Sequence, residues 1–147
     1  VYSSQRFKTD NVEHELKLTR VVRLWGYQCL RGNDVDKTLR PDGTIGKLHL
    51  EMDTGSMSLP RVEARLRSYI DCEDTVLIIT STEKRMYSIL ERCSFLSAAL
   101  LATTYENALQ PPSKVIVTDC DGDQWALDKV IENLHRNARM SEQAEGA

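Results

Sequence analysis

The sequence predicts a single α/β domain with a mixed central sheet flanked by helices. Three observations predict it. Residues 47–53 alternate, with Leu48, Leu50 and Met52 on one side of a strand and Lys47, His49, Glu51 and Asp53 on the other. The run TVLIIT at residues 75–80 is continuously apolar and rich in β-branched residues, as a central strand buried on both faces should be. Segments with helical spacing of apolar residues border both runs, so strands and helices alternate along the chain.

At 147 residues the chain is long enough to bury a core without disulfide or metal staples. No apolar run approaches a membrane span and no secretory signal pattern opens the sequence, so a cytoplasmic protein is expected. Cys29, Cys72, Cys93 and Cys120 are scattered without a C-x-x-C pair. That argues against zinc and for reduced, packed thiols. A formal net charge of −3 excludes a strongly basic nucleic-acid coat and leaves room for a local basic face. The chain opens on Val1 rather than methionine, as a fragment of a longer protein would.

In order, residues 1–9 are polar and expected to be loose. Asp10-Asn11-Val12-Glu13 reads as a capping box that starts a helix. Val12, Leu16, Val22 and Trp25 fall near one stripe of that helix, and Leu18 and Val21 widen it. His14 and Glu15 sit in its first half; a lone histidine there serves either as a hydrogen-bonded structural residue or as a functional group. Arg20 and Arg23 fall on the solvated side. Gly26 is the C-cap candidate. Residues 27–30 form a first short strand, residues 31–37 a turn or hairpin loop, and residues 37–40 lead into the turn Pro41-Asp42-Gly43. The central strand follows, giving the order α-β-β-β-α.

The polar side of the central strand carries the chemistry. Glu51 and Asp53 are two residues apart, with side chains about 6–7 Å apart along a strand. If the turn at Asp42 returns alongside, three carboxylates converge, which is costly unless a cation or proton neutralises them. Such a set of oxygen ligands suits Mg²⁺. The alternative is a half-exposed edge strand whose acids face water.

Thr54-Gly55-Ser56 is a turn, Ser58 a candidate N-cap, and Pro60 fits a first helical turn. Val62, Leu66 and Tyr69 or Ile70 mark the buried stripe of this helix. Arg61 and Arg65 lie one turn apart on another face, near Ser68. Turned back towards Glu51 and Asp53, they would pair with the acids or hold a phosphate; otherwise they are solvated.

Beyond the central apolar strand, Ser81 or Thr82 caps a helix with Met86, Ile89, Leu90 and Cys93 inward. Residues 98–103 form another buried strand, so this strand–helix–strand unit is expected to be a right-handed parallel crossover. Thr103-Thr104-Tyr105-Glu106 is a second capping box, opening a short helix to Leu109. After the linker Pro111-Pro112-Ser113, residues 114–118 and 124–127 read as strands around an Asp121-Gly122 hairpin turn. Asp119, Asp121 and Asp123 superficially suggest a calcium loop, but the sixth position is Gln124 and the twelfth Val130, which breaks the pattern. Asp128 is expected to cap a last helix with Val130, Ile131 and Leu134 inward, fraying from Met140.

RPDG at residues 40–43, E-x-D-x-G-x-M-S-L at residues 51–59, Arg65 with Tyr69 four residues on, His14-Glu15-Leu16 and VLIITSTEKR together resemble the replication-relaxation family. The resemblance runs from about residue 10 to about residue 127. That family is associated with bacterial plasmids and mobile elements, and its core is similar to the PD-(D/E)XK, restriction endonuclease-like nuclease fold. The resemblance implies a metal-dependent nuclease core in which Asp42, Glu51 and Asp53 bind Mg²⁺ and, with Arg65, form the catalytic set. It raises His14, and it likens Glu15 to a first-helix acid turned towards the metal; Arg61 joins as a phosphate contact. DNA and replication or mobilisation proteins are the implied partners, and in the family a winged-helix segment commonly precedes this core. One position departs from the nuclease pattern. Asp53 stands where a catalytic lysine is expected; the family shares this departure and commonly has a lysine in the next helix, where this chain has Arg65. Arginine clamps a phosphate but stays protonated and does not act as a base. Three functions therefore remain open: a metal-dependent nuclease, a catalytically inert nuclease-like domain that binds DNA or a replication partner, and a protein-interaction module.

Overall fold

A computed structural model describes the backbone of residues 2–32 and 39–145 and the side chains of residues 12–32 and 39–143. The chain opens with helix α1 (Tyr2–Trp25), followed by strands β1 (Leu30–Arg31), β2 (Gly43–Ile45) and β3 (Leu48–Met52). Helix α2 (Leu59–Arg67), strand β4 (Thr75–Thr80), helix α3 (Glu83–Arg92) and strand β5 (Leu100–Thr104) come next. A short helix α4 (Tyr105–Ala108), strands β6 (Ile116–Asp119) and β7 (Gln124–Ala126), and helix α5 (Leu127–Glu145) complete it.

The seven strands form one mixed sheet in sequential order, β1 to β7. β1, β2 and β3 pair antiparallel; β3, β4 and β5 pair parallel; β5, β6 and β7 pair antiparallel. The parallel centre is covered on both faces, as parallel strands require. On one face Leu18, Val21 and Trp25 of α1 and Ile131 of α5 pack with Leu50, Met52, Leu77 and Ile79. On the other, Val62, Leu66 and Tyr69 together with Ile89 of α3 pack with Val76, Ile78, Leu100 and Ala102. The alternation of β4 divides its residues between the two cores.

The caps explain where the helices start. Ser58 accepts from Arg61 N–H at 3.4 Å with proline in the first turn of α2, and Thr82 accepts from Arg85 N–H at 3.2 Å at the start of α3. Gly26, at φ +74°, closes α1 by donating to the Val22 carbonyl at 3.2 Å. The Asp121-Gly122 turn joins β6 to β7 as expected, with Gly122 at φ +87°. Asp119 organises it: Oδ1 accepts from the Asp121 and Asp123 amides, each at 2.9 Å, and Oδ2 accepts from Trp125 Nε1 at 3.3 Å.

Several expectations are corrected. Residues 2–9 are helical, so Asp10 lies inside α1 and does not cap it. The buried stripe of α1 is Leu18, Val21 and Trp25; Val12 and Leu16 are 57% and 65% exposed. β3 is central and buried along its whole length, not a half-exposed edge. The first strand begins at Leu30 rather than at residue 27. Most of the expected loop over residues 31–37 and of the lead-in over residues 37–40 lies outside the described residues. Tyr69 rather than Ile70 completes the α2 stripe, at 1% against 51% exposure. Thr104, not Thr103, caps α4: its Oγ1 accepts from the Asn107 amide at 3.1 Å, while the Thr103 hydroxyl is committed to the Ile116 carbonyl. α5 starts at Leu127, which puts Asp128 inside its first turn, and it runs on to Glu145 without ending at Met140. No helix among the described residues is long and apolar enough to cross a membrane.

Candidate functional site

The polar side of β3 points under α2, and there it meets the Asp42 turn. Asp42, Glu51, Asp53, Arg61, Arg65 and His14 all line one pocket of about 380 Å³. The turn is held against β3 by the Met52 amide, which donates to Asp42 Oδ2 at 2.9 Å. The same oxygen takes His14 Nε2 at 3.0 Å. His14 sits four residues before Leu18, on the buried stripe of α1, which is why this helix delivers it to the pocket. The hydrogen bond to Asp42 holds the imidazole above its ordinary pKa against the opposing effect of burial. Burial pushes the Asp42 carboxyl up, but the His14 hydrogen bond and charge and the Met52 amide outweigh it, so it lies below its ordinary value.

Glu51 is buried, 6% exposed. Arg65 and Tyr69, one helical turn apart, both reach it. The Tyr69 hydroxyl donates to Oε1; Arg65 places Nη2 3.0 Å from Oε1 and Nε 3.4 Å from Oε2. Arg65 Nη2 also donates to the Arg40 carbonyl, so this side chain is fixed at both ends. Burial first, and then the charge of Asp42, push the Glu51 carboxyl up to about 8 in spite of Arg65 and Tyr69. Asp42 and Glu51 face the same pocket, and the negative charge of Asp42 works against a second charge on Glu51. The two acids are thereby pushed apart, Glu51 towards the protonated form and Asp42 towards the carboxylate.

Asp53 behaves differently. Arg85 of α3 grips it with two nitrogens, Nε on Oδ2 and Nη2 on Oδ1 at 3.0 Å, and Nη2 also donates to the Met57 carbonyl. The Gly55 amide adds a donor at 3.3 Å to Oδ1. Gly55 has φ +88°, and a Cβ there would lie 2.8 Å from Ser81 Oγ, so only glycine makes this turn without strain. The three carboxylates share one pocket as expected, and within it Asp53 is set apart from the other two. Asp53 lines the pocket, but its oxygens are taken by Arg85, and the ligand atoms of Asp42, Glu51 and Asp53 do not gather within 4.8 Å of one another; among the described residues only His49, Cys72 and Asp74 do so. Glu15 is also displaced: it is exposed, paired with Arg31 at 2.6 Å, and does not line the pocket. The helix turns the neighbouring His14 inward in its place.

Arg61 is exposed at the pocket rim, and its guanidinium makes no hydrogen bond or ion pair among the described residues. It is the uncommitted cation of the pocket. Sequence reasoning overlooked the Tyr69 hydroxyl, the Met52 amide and Arg85. Tyr69 carried a signal, since it follows Arg65 by one turn. Arg85 carried none, because its reach to Asp53 depends on how α3 packs.

No family model, curated protein or solved structure matches this chain.

Proposed function

We propose that this pocket binds a divalent ion and a DNA phosphate, in a PD-(D/E)XK nuclease-like domain serving plasmid or mobile-element replication or mobilisation. The observation that carries the reading is the carboxyl pair of buried Glu51 and half-buried Asp42 in one pocket, with the uncommitted Arg61 on its rim. The order α-β-β-β-α-β, with an antiparallel β1–β2–β3 unit joined in parallel to β4, supports the nuclease-like core and the resemblance read from RPDG and EMDTGSMSL.

The residues fit Mg²⁺, which is commonly held by one or two carboxylates while keeping waters and substrate phosphates. Asp42 and Glu51 would hold it, and the Glu51 proton would leave as it binds. When bound, such an ion polarises a phosphoryl oxygen and lowers the pKa of a bound water. The chain's own groups orient the rest. The Met52 amide and His14 fix Asp42, while Tyr69 and Arg65 fix Glu51. Arg61 meets the phosphate.

A second reading, an inert nuclease-like domain that binds DNA or a replication partner, is favoured by one observation. Among the described residues no lysine lines the pocket, and Asp53, in the position of the expected catalytic lysine, is locked to Arg85. The deciding experiment incubates supercoiled and single-stranded DNA with wild type and Glu51→Gln in Mg²⁺ or Mn²⁺. The nuclease reading expects cleavage by wild type alone and binding by both. Binding without cleavage leaves the inert domain, and no binding at low salt leaves a protein-interaction module.

A further inference from the structure

A second cluster of ligand-bearing side chains lies on the same side of β3, two residues before Glu51. We propose that His49, Cys72 and Asp74 form a zinc-type metal site, separate from the carboxylate pocket, that ties the turn between α2 and β4 to β3. Their ligand atoms, one nitrogen, one sulfur and one carboxylate oxygen, all lie within 4.8 Å of one another. His49 is 2% exposed, while Cys72 and Asp74 are half-buried on the turn, which leaves an ion a route in from solvent. The Cys72 amide donates to the Tyr69 carbonyl at 2.9 Å, fixing the start of that turn.

The donor set decides the class of ion. Oxygen-only sites suit Mg²⁺ and Ca²⁺, whereas a nitrogen–sulfur–oxygen set suits a borderline-soft ion such as Zn²⁺. Three protein ligands leave a fourth, tetrahedral position for water. The surrounding contacts are those that position ligands. His49 Nδ1 lies 3.0 Å from Thr44 Oγ1, which fixes the ring and leaves Nε2 facing Asp74 Oδ2 at 2.8 Å. Lys47 Nζ stands 3.9 Å from the other Asp74 oxygen, Oδ1. A nucleophile triad would divide the two ring nitrogens between thiol and carboxylate. Here Thr44 takes one and Asp74 the other, so the ring does not relay a proton from Cys72 to Asp74. The cysteines form no C-x-x-C pair, and no zinc motif is legible along the chain because the third ligand comes from a strand far upstream.

The site also abuts the pocket. The Tyr69 ring centroid is 6.1 Å from that of His49, and its hydroxyl donates to Glu51. An ion there would hold Tyr69, and with it Glu51, in place. The metal site itself stands whether or not the pocket acts on DNA.

Co²⁺ is the probe. The full chain, freed of metal by a chelator, is titrated with Co²⁺ and then with Zn²⁺. The expected result is one Co²⁺ per chain that carries a thiolate-to-cobalt charge-transfer band and d–d bands of tetrahedral intensity, spectrally distinct from any Co²⁺ taken by the carboxylate pocket, with proton release from the Cys72 thiol and displacement by Zn²⁺. Cys72→Ser should abolish the charge-transfer band, and Asp74→Asn, on the half-exposed turn, should weaken binding. Thr44→Val should weaken it by roughly ten- to a hundred-fold. The Asp42→Asn, Glu51→Gln double variant should keep the spectrum, which separates this site from the pocket. Circular dichroism checks that each variant is folded. The proposal is overturned if folded wild type binds no stoichiometric Co²⁺, if the band survives in Cys72→Ser, or if it vanishes in the Asp42/Glu51 variant.

Discussion

Replacing Glu51 by glutamine should change how stability depends on pH more than it changes stability at acid pH. The Glu51 carboxyl rises from its ordinary 4.5 to about 8 in the folded protein. Between those values the folded state keeps a proton that the unfolded chain gives up, so stability falls as pH rises. The contribution is fully present below 4.5 and lost by about 8. At ~1.4 kcal/mol for each tenfold change in proton affinity it totals roughly 5 kcal/mol. For a domain of this size that corresponds to a melting temperature lower by about 10–20 °C at alkaline pH. His14, also raised, adds stability below 6.5 that is likewise lost as pH rises through its folded value. Asp42, lowered, acts at the other end: its contribution is present above 3.8 and is lost as pH falls through its folded value. The assay is thermal melting by circular dichroism from about pH 5 to about pH 8.5 at constant ionic strength. Wild type should lose most of its stability across this window, and Glu51→Gln should be nearly flat, leaving only the His14 slope. At the alkaline end the variant should be the more stable protein. Equal slopes for the two proteins would refute the buried, protonated Glu51.

Four further outcomes are expected. Mg²⁺ or Mn²⁺ should raise the melting temperature of wild type at alkaline pH by mass action and should leave the Asp42→Asn, Glu51→Gln double variant unmoved, as read by the same melts. Arg61→Ala should weaken DNA binding by roughly ten- to a hundred-fold, the loss of one charge-assisted contact of ~1.5–3 kcal/mol, with a shallower salt dependence and no change in melting; Arg65→Ala, which also strips Glu51 of its cation, should weaken binding and lower stability together. Arg85→Ala should cost about 3–5 kcal/mol in denaturant unfolding by leaving Asp53 buried and unpaired, and Asp53→Asn in the same chain should recover much of it. Gly55→Ala should cost about 1–2 kcal/mol for the left-handed backbone, with a further loss as its Cβ meets Ser81, again by denaturant unfolding.

What the sequence made legible follows from how local each signal is. The alternation LHLEMD told which side chains share a face of β3, and the Pro-Asp-Gly turn placed Asp42 beside them, so the pocket was readable as a set of residues. Arg65 and Tyr69 were readable as neighbours by helical spacing. The burial of that face was not, because it depends on α2 folding over β3. Nor was the division of labour among the acids, which turns on Arg85 arriving from α3 through packing. The phase of α1 was misread for a specific reason. Its buried stripe continues through His14, a polar residue held inside by Asp42, while the exposed Val12 and Leu16 imitate the stripe that His14 conceals.

Asp53 changes where the positive charge of the pocket must come from. Glu51 and Asp53 point to the same side of β3, so an acid at position 53 doubles the negative charge where a lysine would have balanced it. The fold answers with cations from two helices, Arg65 of α2 on Glu51 and Arg85 of α3 on Asp53. Arg61 is then surplus. Among the described residues, Asp53 is matched by Arg85 behind the pocket wall, and with Glu51 towards its protonated form Arg61 and Arg65 face Asp42 across the pocket, in a chain whose formal charge is −3. Under the proposed function, a phosphate would be drawn to such a pocket before any metal arrived, and a divalent ion that displaced the Glu51 proton would add one further positive charge. The inert and the catalytic readings therefore share one phosphate site and differ at a single point, whether the Asp42–Glu51 pair exchanges its proton for a metal.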